Sequence, residues 1–400
     1  MRRAESRPDR HTRRFKTEDD ATPHIGMKVY DLQWFTTFGL EPATAARMLR
    51  DDGVDDVLVS NRIDPLPDSG VDQQDYLAAF GDRLATYDDR VWTEALRDAG
   101  LRVYQTTATF FDPAALARFP AARPIDANGA PAAGFDWYHG ACPTDEDWLA
   151  WKIERIRQVV AELRPDGYFL SFTRFPGFWE NWTPDSRFTN ADRFCFCPRC
   201  RARFAADAGI DLPTGDAAAQ ARFILDHHHA AWTDWRCAQV VNAIARISAA
   251  ASEIIPGLPI MLNTLAFPAS DFDGLNVRRE IAAQDLTSLS TVVDRFELMT
   301  YLQILRRSPA WIGTVVADAR RLAPERGLLC TLQVAPLYTD GVHAGRGRAA
   351  DITADDLERA GRAALDAGAD GLVFYHWTDF LLDEAAGGTK RQVLRALAHG

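Results

Sequence analysis

Residues 366–375 read Asp-Ala-Gly-Ala-Asp-Gly-Leu-Val-Phe-Tyr: a helix end, a glycine stop and then a short apolar run. The same order recurs at three earlier joints, before the strand-like runs at 57–60, 102–105 and 168–171. Glycine commonly ends a helix in the left-handed conformation, and a short apolar run after such a stop is typical of a buried strand. This repeated order of helix end, glycine and apolar run therefore predicts βα units.

Eight candidate strands alternate with amphipathic helical segments along the chain. They lie near residues 27–34, 56–61, 102–108, 167–174, 258–264, 295–301, 328–334 and 370–377. Eight parallel strands separated by helices favour the α/β class and, within it, a (β/α)8 TIM barrel. A doubly wound open sheet would need a glycine-rich phosphate turn after its first strand, and the sequence has none there. We therefore predict a single barrel domain over residues 26–400.

The composition is that of an ordinary globular protein with a large core. The 400 residues are 47% hydrophobic and 25% charged, with a formal net charge of -11. A negative net charge gives no indication of an overall positive surface that would bind nucleic acid. No stretch has about eighteen uninterrupted apolar residues, so no membrane span is expected. Whether the chain forms a homo-oligomer stays open.

The first 25 residues differ in composition from the rest of the chain. Residues 1–25 are rich in arginine and lack an apolar run, which predicts a disordered leader. Their Arg13-Arg14-Phe15 stretch lacks the apolar region that follows the arginines of a twin-arginine signal. A cytoplasmic location is the default expectation.

Four of the six cysteines form a pattern that suits a metal ion. Cys195, Cys197 and Cys200 stand within six residues, and Cys142 lies about fifty residues upstream. Three packed thiols with one distant thiol can supply tetrahedral sulfur ligation to zinc. Four thiolates leave no open coordination position, so such a zinc would be structural and the chemistry must lie elsewhere. An iron–sulfur cluster, a disulfide and unliganded buried thiols are the alternatives.

The predicted helix before the fourth strand places the distant cysteine. Thr144 is the predicted N-cap of this helix, and apolar residues then recur at three- and four-residue spacing. Cys142 therefore lies in the loop after strand three, beside the loop after strand four that holds the other three cysteines. We expect the four thiols to converge from adjacent loops, so that a metal clamps an extended loop after strand four.

The stretch from about residue 137 to 212 resembles the family 42 glycoside hydrolases, the zinc-containing β-galactosidases. The shared features are Cys-Pro-Thr at 142–144, a fourth strand, and Cys-Phe-Cys-Pro-Arg-Cys-Arg-Ala-Arg-Phe at 195–204 entering another helix. The resemblance implies a TIM barrel with a carbohydrate substrate at its C-terminal mouth. It also implies a structural zinc bound by Cys142, Cys195, Cys197 and Cys200.

Two positions depart from the pattern of that family. The family places an Asn-Glu pair at the end of strand four, where the glutamate is the general acid, and a nucleophilic glutamate at the end of strand seven. Here residues 171–174 read Ser-Phe-Thr-Arg, and residues 329–336 contain no carboxylate. The resemblance therefore does not carry the family's activity over to this chain.

Other carboxylates at strand ends or in the following loops must supply a glycosidase's acid and its nucleophile or base. Glu180 lies among aromatic residues past strand four, and apolar surroundings raise a carboxyl pKa toward that of a general acid. Its alternative is a surface loop glutamate. Asp379, after strand eight, is the predicted partner, with a helix N-cap as its alternative role. Asp31 lies inside the predicted first strand, where a carboxylate must either have hydrogen-bond or charged partners or serve a function. Glu297 is predicted to pair with a buried arginine.

Polar and aromatic residues at strand ends are candidate sugar contacts: Arg174, Asn263, Tyr301, Gln333, His376 and Trp377. Each could have a structural role instead. The polar residues could close a hydrogen-bond network within the barrel, and the Trp377 ring could fill the barrel interior.

Three functions follow from these residues. The first is a glycoside hydrolase that uses Glu180 and Asp379. The second is a carbohydrate-binding barrel without hydrolysis, since both family carboxylates are missing. The third is a lyase or aldolase, which needs a Schiff-base lysine or an open metal site, and no lysine is predicted at the C-terminal end of a strand.

Overall fold

Eight parallel strands close into a barrel, with helices between them. The computed structural model describes residues 22–67 and 73–399. Each strand pairs with the next, and the eighth pairs with the first. The strands are β1 (His24–Val29), β2 (Asp56–Val59), β3 (Arg102–Ala108), β4 (Gly167–Ser171), β5 (Ile260–Thr264), β6 (Arg295–Leu298), β7 (Gly327–Gln333) and β8 (Gly371–Tyr375). This is the TIM barrel that the alternating sequence pattern predicts.

Helices cover the outside of the barrel and part of its C-terminal mouth. They are α1 (Gln33–Thr36), α2 (Pro42–Asp51), α3 (Gln73–Leu84), α4 (Asp89–Asp98), α5 (Pro113–Arg118), α6 (Glu146–Leu163), α7 (Pro198–Ala208), α8 (Ala217–His227), α9 (His229–Ile254), α10 (Val277–Glu280), α11 (Leu286–Leu289), α12 (Leu302–Leu305), α13 (Pro309–Leu322), α14 (Ala354–Asp366), α15 (Trp377–Ala385) and α16 (Lys390–His399). The loop between β4 and α7 carries two short 3-10 turns, Trp179–Asn181 and Asn190–Asp192.

The first strand begins and ends earlier than its sequence pattern predicts. The strand-like alternation of apolar and polar residues continues to residue 34, but β1 ends at Val29 because its register is set by pairing with β2 and β8. The chain then turns, and Asp31 Oδ1 accepts a hydrogen bond of 2.9 Å from the backbone N–H of Gln33 at the start of α1. Asp31 therefore lies beyond the strand and not inside it. Lys28 becomes the penultimate residue of the strand.

Most of the predicted leader lies outside the described residues. Residues 1–21 belong to that part, and β1 already begins at His24. The division of the chain into a leader and one barrel domain stays a prediction. Among the described residues, none of the helices combines the length and the apolar composition that a membrane crossing requires.

A buried ion cluster closes the N-terminal end of the barrel. The Asp56 carboxylate is fully buried and lies 2.6 Å from His24 Nε2, 2.6 Å from Arg102 Nε and 2.8 Å from Arg295 Nη1. Burial opposes ionisation of Asp56, but the hydrogen bond from His24 and the two arginine charges hold its pKa below the usual value. This end is filled by paired side chains, so the space for a ligand lies at the opposite end.

Candidate functional site

A cavity of about 1020 Å³ opens at the C-terminal end of the barrel strands. This is the end at which the active sites of TIM-barrel enzymes lie. The cavity is lined by six of the residues predicted from sequence as catalytic or substrate-binding: Asp31, Arg174, Glu180, Asn263, Tyr301 and His376. The fold thus brings together, in one space, residues from the ends of β1, β4, β5, β6 and β8.

Glu180 is a buried carboxyl group on the cavity wall. Its residue is only 4% exposed, so the alternative of a surface loop glutamate is wrong. Its Oε2 atom has no hydrogen-bond partner among the described residues. Burial raises the pKa of Glu180 from 4.5 to about 7, although the nearby Arg174 and Arg348 guanidinium groups oppose this rise. A carboxyl group of this kind is partly protonated at neutral pH and can donate a proton to a leaving group.

The raised pKa of Glu180 has a measurable effect on stability. Between about pH 4.5 and 7 the folded chain holds a proton that the unfolded chain releases, so stability falls as the pH rises through this window. We expect Glu180→Gln, which cannot ionise, to raise the free energy of unfolding relative to wild type by about 2 kcal/mol more at pH 8 than at pH 5. Urea unfolding at both pH values measures this difference. The exposed Glu325→Gln is the matched control and should show no such dependence.

His376 lies between the other two predicted catalytic carboxylates. Its Nδ1 atom is 3.4 Å from Asp31 Oδ2, and its Nε2 atom is 3.7 Å from Asp379 Oδ1. Asp31 lines the cavity, and Thr378 Oγ1 donates a hydrogen bond of 2.8 Å to its Oδ1 atom. The carboxylate of Asp31 is therefore held in place on one side while its other oxygen remains beside the imidazole.

Asp379 takes part in the start of α15. Its Oδ2 atom accepts a hydrogen bond of 3.3 Å from the backbone N–H of His376, which is the N-cap residue. Asp379 is thus the third residue of the helix and not its N-cap. Burial raises the pKa of Asp379, and the neighbouring His376 opposes the rise. Asp379 is not among the residues that line the cavity, and its role as nucleophile or base stays a prediction.

A buried ion pair forms the floor of the cavity. Lys28 Nζ lies 2.9 Å from Glu297 Oε1 and 3.1 Å from the Tyr301 hydroxyl, and Asn263 Nδ2 donates a hydrogen bond to Glu297 Oε2. The prediction that Glu297 pairs with an arginine is wrong: the arginine of the same strand, Arg295, lies at the N-terminal end and binds Asp56.

Lys28 also corrects the expectation that no lysine lies at the C-terminal end of a strand. It lines the cavity because β1 ends at Val29. Burial lowers the pKa of Lys28, while its ion pair with Glu297 opposes that decrease. The Glu297 and Tyr301 contacts hold the ammonium group in the floor, so we assign it no nucleophilic role.

The structure does not bring Gln333 and Trp377 to the cavity. Gln333 is buried, its Nε2 atom donates to Gln303 Oε1 at 3.2 Å, and its Oε1 atom accepts from the backbone N–H of Ile304 at 3.1 Å. This network ties β7 to α12. Trp377 is fully buried, with its ring 6.1 Å from that of Trp34. Gln333 thus belongs to a hydrogen-bond network and Trp377 to the packed core, which are the structural roles that the sequence left open for them.

Aromatic side chains on the cavity wall were not predicted from sequence. They include Trp137, Phe172, Trp179, Tyr338 and Tyr375. The ring of Trp179 stacks on that of Tyr301 at 5.4 Å, beside Glu180 in the chain. Flat aromatic faces of this kind can support a sugar ring. The signal in the sequence was the density of aromatic residues at 135–138 and 175–182.

The four cysteines converge as the loop order predicts. Cys142, Cys195, Cys197 and Cys200 are all buried, and their Sγ atoms lie within 4.8 Å of one another. Cys142 Sγ and Cys200 Sγ are 3.5 Å apart. A tetrahedral zinc with Zn–S bonds of about 2.3 Å requires sulfur atoms about 3.8 Å apart, so this donor set fits a closed four-thiolate metal site. All four are free thiols, and none lines the cavity.

The ends of the neighbouring helices position these thiols. Cys197 is the N-cap of α7, and its Sγ atom accepts a hydrogen bond of 3.5 Å from the backbone N–H of Cys200. The cap of α6 is Asp145, whose carboxylate accepts from the backbone N–H of Trp148 at 2.9 Å. The prediction that Thr144 caps this helix is therefore wrong, and its hydroxyl instead lies 3.0 Å from Cys200 Sγ.

Known structures share this fold, although sequence comparison finds no relative. No family model matches the chain, and comparison with curated proteins gives no significant match. The chain is similar in structure to the PgaB (BpsB) glycoside hydrolase domain from Bordetella bronchiseptica, with a TM-score of 0.63 and 15% identity over 94% of this chain and 99% of that one.

Two β-galactosidases are also similar in structure to the chain. The enzyme from the haloarchaeon Halorubrum lacusprofundi has a TM-score of 0.57 and 16% identity, over 88% of this chain and 52% of that one. A catalytic mutant of Gan42B, a GH42 β-galactosidase from G. stearothermophilus, has a TM-score of 0.59 and 13% identity, over 94% and 56%. The chain spans about half the length of these two enzymes. At such identities the likeness shows a TIM-barrel fold shared with glycoside hydrolases.

Proposed function

We propose that this chain is a glycoside hydrolase that cleaves its substrate in the cavity at the C-terminal mouth of the barrel. The observation that carries this proposal is Glu180, a buried carboxyl group on the cavity wall whose pKa of about 7 suits a general acid. The glycoside hydrolases among the structures of similar fold support the same class. The cavity volume of about 1020 Å³ and its aromatic wall suit a saccharide.

Asp31 is the better candidate for the second carboxyl group. It lines the cavity with its side chain 30% exposed, whereas Asp379 is 14% exposed and bound to the start of α15. A nucleophile or base must reach the sugar or a water molecule, and of Asp31 and Asp379 it is Asp31 that lines the cavity. His376, whose imidazole lies between the two aspartates, is then a positioning residue for Asp31.

Asparagine variants of the two aspartates separate these roles. We expect Asp31→Asn to lower kcat/KM by about 10³-fold or more, because the amide cannot act as nucleophile or base. Asp379→Asn should keep kcat/KM within about tenfold of wild type and lower the free energy of unfolding by about 1 kcal/mol, through a weakened helix start. Steady-state kinetics and urea unfolding of both variants measure this. The reverse result would assign the second carboxyl group to Asp379, as the sequence predicts.

A panel of aryl glycosides tests the proposed activity. Release of the aryl group by wild type, and its loss in Glu180→Gln for aryl glycosides with poor leaving groups, would support hydrolysis. Calorimetric binding of saccharides without release of reducing ends would instead indicate the carbohydrate-binding barrel that has lost the family carboxylates. This second function is retained because the family's two carboxylate positions are empty in the sequence.

We also propose that the four thiolates hold a structural zinc ion. The buried, closed donor set of Cys142, Cys195, Cys197 and Cys200 leaves no position for a substrate. Zinc bound there would stabilise the long segment between β4 and α7, which carries Glu180.

A further inference from the structure

We propose that the cavity binds an anionic sugar, a hexuronic acid, and that Arg174 recognises its carboxylate. This inference rests on the proposed function and adds the substrate class. Arg174 follows β4, lines the cavity and is only 2% exposed. The carbon of its guanidinium group lies 5.0 Å from the centroid of the Phe172 ring and 5.7 Å from that of Tyr138. The two rings hold the planar group against the wall.

The guanidinium group of Arg174 has one unoccupied edge. Its Nε and Nη2 atoms have no hydrogen-bond partner among the described residues and are both shielded from solvent, so a ligand in the cavity reaches this edge only when the guanidinium group or the rings beside it shift. These two nitrogen atoms form the edge of the guanidinium plane that donates two parallel hydrogen bonds to a carboxylate. Buried donors without a partner are rare in native proteins, so this edge points to a group supplied by a ligand.

The charge of Arg174 is also incompletely balanced. Lys28, the other buried cation at the cavity, has Glu297 as its ion-pair partner. Arg174 has no ion pair among the described residues, and the acidic group that acts on it is Glu180. Because the pKa of Glu180 is about 7, that carboxyl group is partly neutral at physiological pH and balances only part of the charge. A ligand carboxylate would supply the missing negative charge in a buried position.

The position of Arg174 relates this recognition to the proposed chemistry. The electrostatic effect of Arg174 on Glu180 places the guanidinium group near the proposed general acid. A carboxylate bound to Arg174 would therefore belong to the sugar ring next to the cleaved bond. A neutral hexose in the same position would leave the guanidinium edge unpaired, so discrimination between the two sugars should be large.

Calorimetry on the full, metal-loaded chain at pH 7 tests this proposal without requiring turnover. The probes are D-glucuronate and D-galacturonate, with D-glucose and D-galactose as their neutral counterparts. We expect each uronate that binds to do so at least about tenfold more tightly than its neutral sugar. Arg174→Met should weaken uronate binding by about 30-fold or more and change neutral sugar binding by less than about threefold. Arg187→Met, which removes an exposed charge, is the matched control.

A second variant at Arg174 and a sulfated sugar distinguish carboxylate recognition from a loss of folding or from general anion binding. Because removal of a buried arginine can destabilise the barrel, Arg174→Lys, which keeps the charge but loses the paired edge, is measured beside Arg174→Met. Its uronate affinity should lie between those of wild type and the methionine variant. If neither uronate binds wild type more tightly than its neutral sugar, or if D-galactose 6-sulfate binds more tightly than both, the proposal is overturned.

Different results would contradict uronate recognition by Arg174 and glycoside hydrolysis. Uronate binding that depends on Arg174, with no glycoside hydrolysed, would support the ligand class and contradict hydrolysis. Hydrolysis of neutral and uronic aryl glycosides with equal kcat/KM would support hydrolysis and contradict the role of Arg174.

Discussion

Replacing Glu180 with glutamine should lower kcat/KM on an aryl glycoside with a poor leaving group by about 10³-fold. Glutamine has the same shape as the glutamate but cannot donate a proton to the departing oxygen. Binding should change little, so that the loss falls on kcat and not on KM. Glu325 is exposed and does not line the cavity, so Glu325→Gln, which makes the same chemical change, should keep wild-type kinetics.

The leaving group and the pH identify which catalytic role is lost. An activated dinitrophenyl glycoside departs without proton donation, so Glu180→Gln should retain much more of the wild-type rate on it. In wild type the activity should fall as the pH rises above about 7, where Glu180 loses its proton. This alkaline decrease should be absent in the variant. Unchanged turnover of the poor substrate by Glu180→Gln would contradict the assignment of the acid.

Loss of a single cluster cysteine should release the metal and destabilise the whole barrel. We expect wild type to contain one zinc per chain, and Cys200→Ser to lose it together with on the order of 5 kcal/mol of unfolding free energy and about 6 °C in Tm. Metal binding to preassembled ligands adds to folding free energy, because the unfolded chain does not present the four thiolates together.

The backbone around the cluster explains the size of this effect. The backbone N–H of Cys142 donates to the carbonyl of Ala122 at 2.8 Å, and that of Phe196 donates to the carbonyl of Ile125 at 2.8 Å. The cluster therefore joins the loop after β3 to the loop after β4, which includes Glu180. Loss of the metal should loosen both loops at once.

A second buried thiol provides the matched control for the zinc prediction. Cys237 lies outside the cluster, with a backbone carbonyl oxygen, that of Arg279, 3.8 Å from its Sγ atom. Cys237→Ser should keep the zinc and most of the stability. Elemental analysis and thermal unfolding measure these outcomes, and visible absorbance with iron content distinguishes an iron–sulfur cluster. Wild type that contains no metal as purified, or zinc-loaded wild type with the same Tm as Cys200→Ser, would contradict the proposed zinc.

The barrel and the cysteine cluster were both predictable from sequence, for a common reason. The glycine stops before β2, β3 and β8 and the apolar runs after them are local signals that depend on near neighbours in the chain. Before β4 the predicted glycine stop is wrong: α6 ends at Arg164 in the left-handed conformation, and Gly167 is the first residue of the strand. Once the strand order is known, the loops after β3 and β4 must lie side by side, so Cys142 and Cys200 must approach each other. The burial of Glu180 was similarly indicated by the aromatic residues around it.

Strand ends were the main source of error in the site. Residues 29–34 read Val-Tyr-Asp-Leu-Gln-Trp and alternate apolar with polar residues, as a half-buried strand does, so nothing local marks the end of β1. The end is set by hydrogen bonds to β2 and β8, which are distant in sequence. This register moved Asp31 into the cavity wall and Lys28 into its floor, beside Glu297.

Local sequence pattern was sufficient for the fold class, the convergence of the thiols and a buried acid past β4, because each follows from neighbours in the chain or from strand order. Only the folded barrel decided that Asp31 and not Asp379 reaches the cavity, that Trp377 is core, and that one edge of Arg174 has no partner among the described residues. These properties depend on which side chains from distant segments meet. That is determined by register and packing across the closed sheet, which local patterns do not encode.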